Sequence, residues 1–131
     1  MKKKKNSELL TSVELEFMNE LWALGEGTVR DVLEQLPEDR NLAYTSGATI
    51  LRILEQKDFV TSRKSGKSHI YTPTLAKDAY QFRSLKDLSA KLFDDTPASL
   101  VATLINDEDL TEEALGQIRA LVDRRLKNDT G

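Results

Sequence analysis

Tyr44, Thr45, Ser46, Thr49 and Arg52 stand within nine residues of one another, and Thr45, Thr49, Arg52 and Gln56 fall at i, i+4, i+7 and i+11. On a helix that spacing gathers hydroxyls and a guanidinium onto one face. Hydroxyls donate or accept, a threonine methyl can meet the methyl of thymine, and an arginine fork can reach a guanine edge or a phosphate. A little further on, Arg63, Lys64, Lys67 and His69 surround Gly66, with Ser65 and Ser68 between them. Cations and hydroxyls of that kind bind phosphate, which sets position and affinity but carries little sequence information.

Other chemistries lack their groups. His69 is the single histidine and there is no cysteine, so zinc and nucleophilic sites have no partners to draw on. Gly66-Lys67-Ser68 has the ending of a phosphate-binding loop, but that motif needs a glycine five positions earlier, where Thr61 stands. Asp94-Asp95 and Asp107-Glu108-Asp109 both precede expected helix starts, where acids favour the dipole and solvate a turn. No enzyme, metal or cofactor is expected.

The elements that must position the two groups are well marked. Thr11 and Glu14 form a capping box, with Leu10 and Leu15 at staple positions. Val13, Phe17, Leu21 and Leu24, with Met18 and Trp22, make the apolar stripe of a first helix that Gly25 stops. Trp22 reads as a core anchor. Thr28 opens a second helix carrying Val29, Val32, Leu33 and Leu36, Asp31 favours its start, and Pro37 ends it. Residues 37–41 are a polar turn.

A third helix is expected to start near Thr45 or Ser46, with Ile50, Leu51 and Leu54 toward the core. Tyr44 either packs on the first helix or joins the polar face, and Ser46 either caps or contacts a ligand. Arg52 pairs with Glu55 or Gln56 or reaches outward. Gly47 implies a close approach by a neighbouring helix or a phosphate backbone. Residues 59–64 and 68–72 are strand candidates around Ser65-Gly66-Lys67. Helical patterning returns beyond Pro73: Ala79, Phe82, Leu85, Leu88 and Leu92 form one stripe. Thr96-Pro97 makes a cap with proline at the first helical position. Leu110-Thr111 repeats the opening staple, now with Leu115.

Composition narrows the partner. The formal net charge of -3 is unevenly spread: residues 1–5 carry +4, residues 6–40 carry -7, residues 41–75 carry +3 and the remainder -3. Positive charge thus sits in the lysine tail and beside the hydroxyl-rich face. No apolar run approaches the roughly 18 residues of a membrane span, and the absence of cysteine fits a cytoplasmic protein.

These observations imply a mainly α chain with a small β-hairpin. A winged helix-turn-helix head fills residues 10–75, after a flexible basic tail over residues 1–9, and a helical dimerisation region occupies residues 76–131. Tyr44, Thr45, Ser46, Thr49 and Arg52 would enter a major groove, with Arg63, Lys64, Lys67 and His69 on the flanking backbone. Leu88, Leu92, Leu100, Val101, Leu104, Ile105, Ile118, Leu121 and Val122 exceed what one small core can cover, and pairing with a second copy would double the footprint on DNA. Two other readings use the same residues: a winged-helix module for a protein partner, and a regulator with a ligand pocket between the dimer helices.

The run Leu42-Ala43-Tyr44-Thr45-Ser46, followed by Thr49-Ile50-Leu51-Arg52 and Leu54-Glu55, resembles the recognition helix of the penicillinase-repressor (BlaI/MecI/CopY) family. Leu10-Thr11, Glu14 and Leu21-Trp22 resemble that family's first helix. Ser99-Leu100-Val101 and Glu108-Asp109-Leu110-Thr111 resemble its dimerisation region. The resemblance implies a homodimeric repressor on a palindromic operator. It does not carry the family's switches across: Thr103-Leu104 stands where the β-lactam repressors are cleaved at Asn-Phe, and the cysteine motif of copper-responsive members is missing. Asp58 occupies the position of a usual glycine, which requires it to tolerate left-handed geometry.

Overall fold

The computed structural model describes residues 9–130; the expected flexible lysine tail, apart from Leu9, lies outside the described residues. The elements run α1 (Ser12–Leu24), α2 (Val29–Gln35), a 3-10 turn (Glu38–Arg40), α3 (Tyr44–Gln56), β1 (Val60–Ser65), β2 (Ser68–Pro73), α4 (Lys77–Leu92), α5 (Pro97–Ile105) and α6 (Glu112–Thr130). The chain divides into two compact units, the first ending at Leu85 and the second beginning at Lys86.

The first unit contains the core. Phe17, Met18, Leu21, Val32, Leu51, Leu54 and Phe59 are wholly buried, with Val29, Leu36, Val60, Tyr71 and Tyr80 nearly so. Within α1 the expected stripe shifts by part of a turn. Leu24, anticipated as core, is 40% exposed at the last position before Gly25, while Met18 is a full core member. Trp22 packs at the core's edge and donates its indole N–H to the Leu75 carbonyl at 2.8 Å. Tyr80, which belonged to no expected stripe, stacks tilted on Trp22 and edge-on to Phe59, both at 5.9 Å. Its hydroxyl accepts the Leu10 N–H at 2.8 Å.

Local signals set the helix ends. Thr11 and Glu14 close the anticipated capping box, at 3.2 Å and 3.0 Å. Thr28 and Asp31 form a second one, at 3.1 Å and 3.0 Å. Gly25 caps α1 with φ at 88°. The third helix begins earlier than the sequence suggested, at Tyr44, with Ala43 in the cap position and no side-chain cap. Ser46 is therefore not a cap, and its hydroxyl is released for other use. At α5 proline does occupy the first turn, but the Thr96 hydroxyl donates to the Asp94 carbonyl instead of capping.

The exit from α3 turns on Asp58. The Asp58 N–H donates to the Glu55 carbonyl at 3.0 Å and the Phe59 N–H to the Leu54 carbonyl at 2.9 Å. That paired pattern is a Schellman closure, with Asp58 as its left-handed residue at φ 67°. Phe59 drops into the core directly after it. The strands then pair antiparallel from Val60↔Pro73 to Ser65↔Ser68, leaving a two-residue turn, Gly66-Lys67. Only Gly66 of that pair has positive φ, at 63°, as a II′ turn requires.

Glu14 links the two ends of this assembly. Besides the capping box, both its oxygens accept from Lys57 Nζ at 2.9 Å, with the carboxylate largely buried. Burial alone pushes the carboxyl up, but the Lys57 ammonium and the Thr11 donors outweigh it and hold Glu14 below the ordinary carboxylate range. A depressed folded-state pKa gives stability that is present above the unfolded pKa and lost as pH falls through the folded one.

Two outcomes follow for stability. Glu14→Gln should cost about 2 kcal/mol near neutral pH, and the gap to wild type should close in urea unfolding as pH falls through the acid range. At position 58, a β-branched residue cannot relax a positive φ while glycine can. Asp58→Val should therefore lose about 1–2 kcal/mol, and Asp58→Gly should match or slightly exceed wild type in the same assay.

Candidate nucleic-acid interface

Thr45, Ser46, Thr49, Arg52 and Gln56 are all exposed along α3, so the hydroxyl-rich face the spacing suggested exists as a surface. Its opposite face holds Leu51 and Leu54 in the core. Gly47 settles which close approach it serves. A Cβ there would lie 3.1 Å from Leu33 Cδ2 and 3.3 Å from Val29 Cγ1, so the neighbour is helix α2. Absence of that Cβ lets α3 seat deeply on α2 and fixes the angle at which its outer face is presented.

Individual groups on that face are not equivalent. The Thr49 hydroxyl donates to the Thr45 carbonyl one turn back, at 3.0 Å, leaving its oxygen lone pairs and methyl for contact. Arg52 makes no hydrogen bond or ion pair with Glu55 or Gln56; Glu55 instead accepts from the Ser62 hydroxyl at 2.8 Å. Arg52 lines a cleft with Ala48, Glu55, Ser62, His69 and Tyr71, where α3 meets the hairpin. Burial pushes the Tyr71 phenol up, with Glu55 and Tyr44 adding to the effect and Arg52 opposing it. Tyr44 is 53% exposed and lies beside Thr28, Arg30 and Ser68, not on α1. Arg30, an exposed cation at the start of α2, escaped the sequence reading because a lone arginine amid acidic residues carries no signal.

Strand alternation sorts the hairpin's polar groups. One face carries Val60, Ser62 and Lys64 with their partners Pro73, Tyr71 and His69. Its base is fixed on α3 by the Ser62–Glu55 bond, and Lys64 and His69 extend it outward as an exposed pair. The other face carries Thr61, Arg63 and Ser65 with Thr72, Ile70 and Ser68. Neighbours in sequence, Arg63 and Lys64 thus point to opposite sides. Lys67 is exposed in the turn.

Arg63 is not free. Its Nη1 and Nη2 donate to the two Glu26 oxygens at 2.9 Å and 3.1 Å, and the Thr72 hydroxyl donates to the same carboxylate at 3.4 Å. The guanidinium holds the Glu26 carboxyl below its usual range, and Glu26 raises Arg63 in turn. Next to it, Gly27 exchanges two backbone hydrogen bonds with Tyr71, at 3.0 Å and 2.8 Å, adding a one-residue bridge to the hairpin's edge. Sequence reasoning missed Glu26 because its partner lies 37 residues away.

A model of the penicillinase repressor family matches residues 10–124. The chain belongs to that family. Methicillin resistance regulatory protein MecI of Staphylococcus aureus is 21% identical over 116 residues, covering 88% of this chain and 94% of the relative. Transcriptional regulator BlaI of Mycobacterium tuberculosis is 37% identical over 70 residues, or 53% of this chain and 51% of that one. Among solved structures, the DNA-binding domain of the repressor BlaI superposes with a TM-score of 0.50 at 25% identity, covering 61% of this chain and 94% of that domain. The fold is therefore a winged helix, with β1 and β2 as the wing.

In the second unit of this penicillinase repressor family member, the apolar residues singled out from the sequence stand largely uncovered. Leu92 is 70% exposed, Leu88, Val101 and Ile105 each 40%, and Leu104, Leu121 and Val122 lie between. Leu100 and Ile118 are half-buried, and neither α5 nor α6 buries any residue among those described. No helix of the described residues is long and apolar enough to cross a membrane.

Proposed function

We propose that this chain is a DNA-binding transcriptional repressor of the BlaI/MecI type, acting as a homodimer on a palindromic operator. The observation that carries the reading is the exposed row Thr45, Thr49 and Arg52 on a winged-helix α3, continuous across one cleft with His69 of the wing, whose cross-strand partner is Lys64. α3 lies in the major groove, with Tyr44, Thr45, Ser46, Thr49 and Arg52 toward base edges. Lys64, Lys67 and His69 lie on the flanking phosphates, joined by Arg30 from α2; Arg63, held by Glu26, has a separate role. The relatives are regulators by name, and the chemistry required here is binding and release, without a reacting group. Occupying a promoter suffices for repression.

Dimerisation supplies the second half-site. The buried core cluster of the head draws its residues from the stretch ending at Tyr80. The apolar set Leu88, Leu92, Leu100, Val101, Leu104, Ile105, Ile118, Leu121 and Val122, exposed except for the half-buried Leu100 and Ile118, is the surface a second copy covers, and the helical region over residues 76–131 is assigned that task. Two heads related by a two-fold axis then read an inverted repeat.

Mobility shifts on the region upstream of the chain's own gene should reveal a retarded inverted repeat, and a flat response to salt would favour a protein partner over DNA. Arg52→Ala should relax discrimination at one base position by about 1–3 kcal/mol, whereas Lys67→Ala should weaken binding evenly across sequences and flatten the salt slope by about 1. Equal losses on every sequence from both changes would contradict this division of roles. Leu104→Asp with Val122→Asp should convert a dimer to monomers in sedimentation equilibrium while the head's thermal transition persists. A wild-type chain that sediments as a monomer at micromolar concentration would remove the two-fold model.

A further inference from the structure

The cation of the wing most strongly engaged within the protein is Arg63, and its partner sits at a fixed place. Glu26 accepts both terminal nitrogens of the guanidinium, at 2.9 Å and 3.1 Å, in the forked geometry that suits arginine and carboxylate. Ion pairs between two loose surface side chains are weak. Here one partner is not loose: Glu26 directly precedes Gly27, whose N–H and C=O are both bonded to Tyr71 on the adjoining strand. The Thr72 hydroxyl adds a third donor to the carboxylate. Alternation along β1 turns Arg63 to the side of the ribbon away from Lys64 and His69. The geometry therefore keeps a positive charge in the wing yet engages it against an acid of the α1–α2 connection.

We infer that Glu26 is an electrostatic brake on DNA binding: it withholds Arg63 from the phosphates and so lowers the sequence-independent part of the affinity. The inference rests on the repressor reading above and deepens it by naming a residue that touches no DNA. Each phosphate neutralised by a protein cation releases counterions, and log K falls against log salt with a slope of about -0.9 per phosphate on duplex DNA. A sequestered arginine adds nothing to that slope. Lys64, Lys67 and Arg30, which make no ion pair among the described residues, remain to set it. Such a device keeps the wing's grip shallow, so that release from non-target sequence stays easy while α3 supplies the discrimination.

Fluorescence anisotropy of the full chain on a duplex of arbitrary sequence, titrated at several salt concentrations, decides the matter. Glu26→Gln keeps the side chain's shape and removes its charge. It should steepen the slope by about 0.9, so that the variant loses about 3.5-fold more affinity than wild type between 50 and 200 mM salt. Arg63→Gln in the otherwise native chain should leave the slope unaltered, and the double variant should return to it. Arg63→Lys retains the cation but cannot fork onto a carboxylate; it should steepen the slope without any change at position 26. Matching thermal transitions for all four variants identify the effect as electrostatic. An unchanged slope for Glu26→Gln, or a slope flattened by about 0.9 for Arg63→Gln alone, would overturn the inference and leave the repressor reading standing. A wild-type chain with no salt-dependent DNA binding would overturn both.

Discussion

The carboxylate of Glu14 holds together the two points from which the winged-helix head is built. Through Thr11 it closes the start of α1, and through Lys57 it grips the residue at which α3 ends. That end is where the chain reverses through Asp58 and delivers Phe59 to the core. A single largely buried anion thus couples the first helix to the helix–wing junction. Its desolvation is offset only because every oxygen has a donor, which is the condition under which a buried charge is tolerated. With that junction fixed, the direction of α3 and the root of the wing are fixed too. The surface facing outward follows from them.

From the junction outward, period-two alternation does the sorting. The hairpin must bury Val60 and Tyr71 on its inner face, so register commits Lys64 and His69 to the side of α3 and Arg63 to the other. A shift of one residue would exchange them. Such a shift is blocked by the Gly66 turn at one end and by the Gly27–Tyr71 bridge beside the other. The cationic wing is therefore not a diffuse patch. It consists of one row on the side of α3, Lys67 in the turn and one arginine already engaged.

How much of this was legible depended on the distance over which each interaction acts. The two capping residues Thr11 and Thr28, the stop at Gly25, the hairpin turn at Gly66 and the left-handed Asp58 are decided by a few neighbouring residues, and the chain announces each of them. The start of α3 was displaced because Ala43 takes the cap position without a side-chain bond, leaving Ser46 free. Long-range partners left no local trace: Lys57 for Glu14 across 43 residues, Glu26 for Arg63 across 37, and Leu10 for the Tyr80 hydroxyl across 70. Tyr80 was invisible for a further reason. It sits off the apolar stripe of α4, while the stripe itself, Phe82, Leu85, Leu88 and Leu92, is exposed. The candidate face of α3 was recoverable from spacing alone because helical periodicity is local, whereas the pairing that separates Arg63 from Lys64 needed the register.

The exposed stripe carries its own physical argument. Ordering a residue costs about 1–2 kcal/mol of backbone entropy, and a compact unit recovers that mainly by removing apolar surface from water. The head does so: its twelve-residue core is closed by Tyr71 and Tyr80. The helices α5 and α6 bury nothing of their own among the described residues, yet α5 is apolar along most of its length, from Leu100 through Ile105. Helices with so little internal burial are marginal in isolation. Leu104, Leu121, Val122 and Leu126 are each more than half exposed, and large apolar side chains gathered in water mark interaction surfaces. Water is a poor neighbour for such side chains, and α5 and α6 supply no buried residue of their own among those described to cover them. In the dimer proposed above, a second copy would bring the same residues to the same contact, so one sequence would meet the burial problem and supply the second head together.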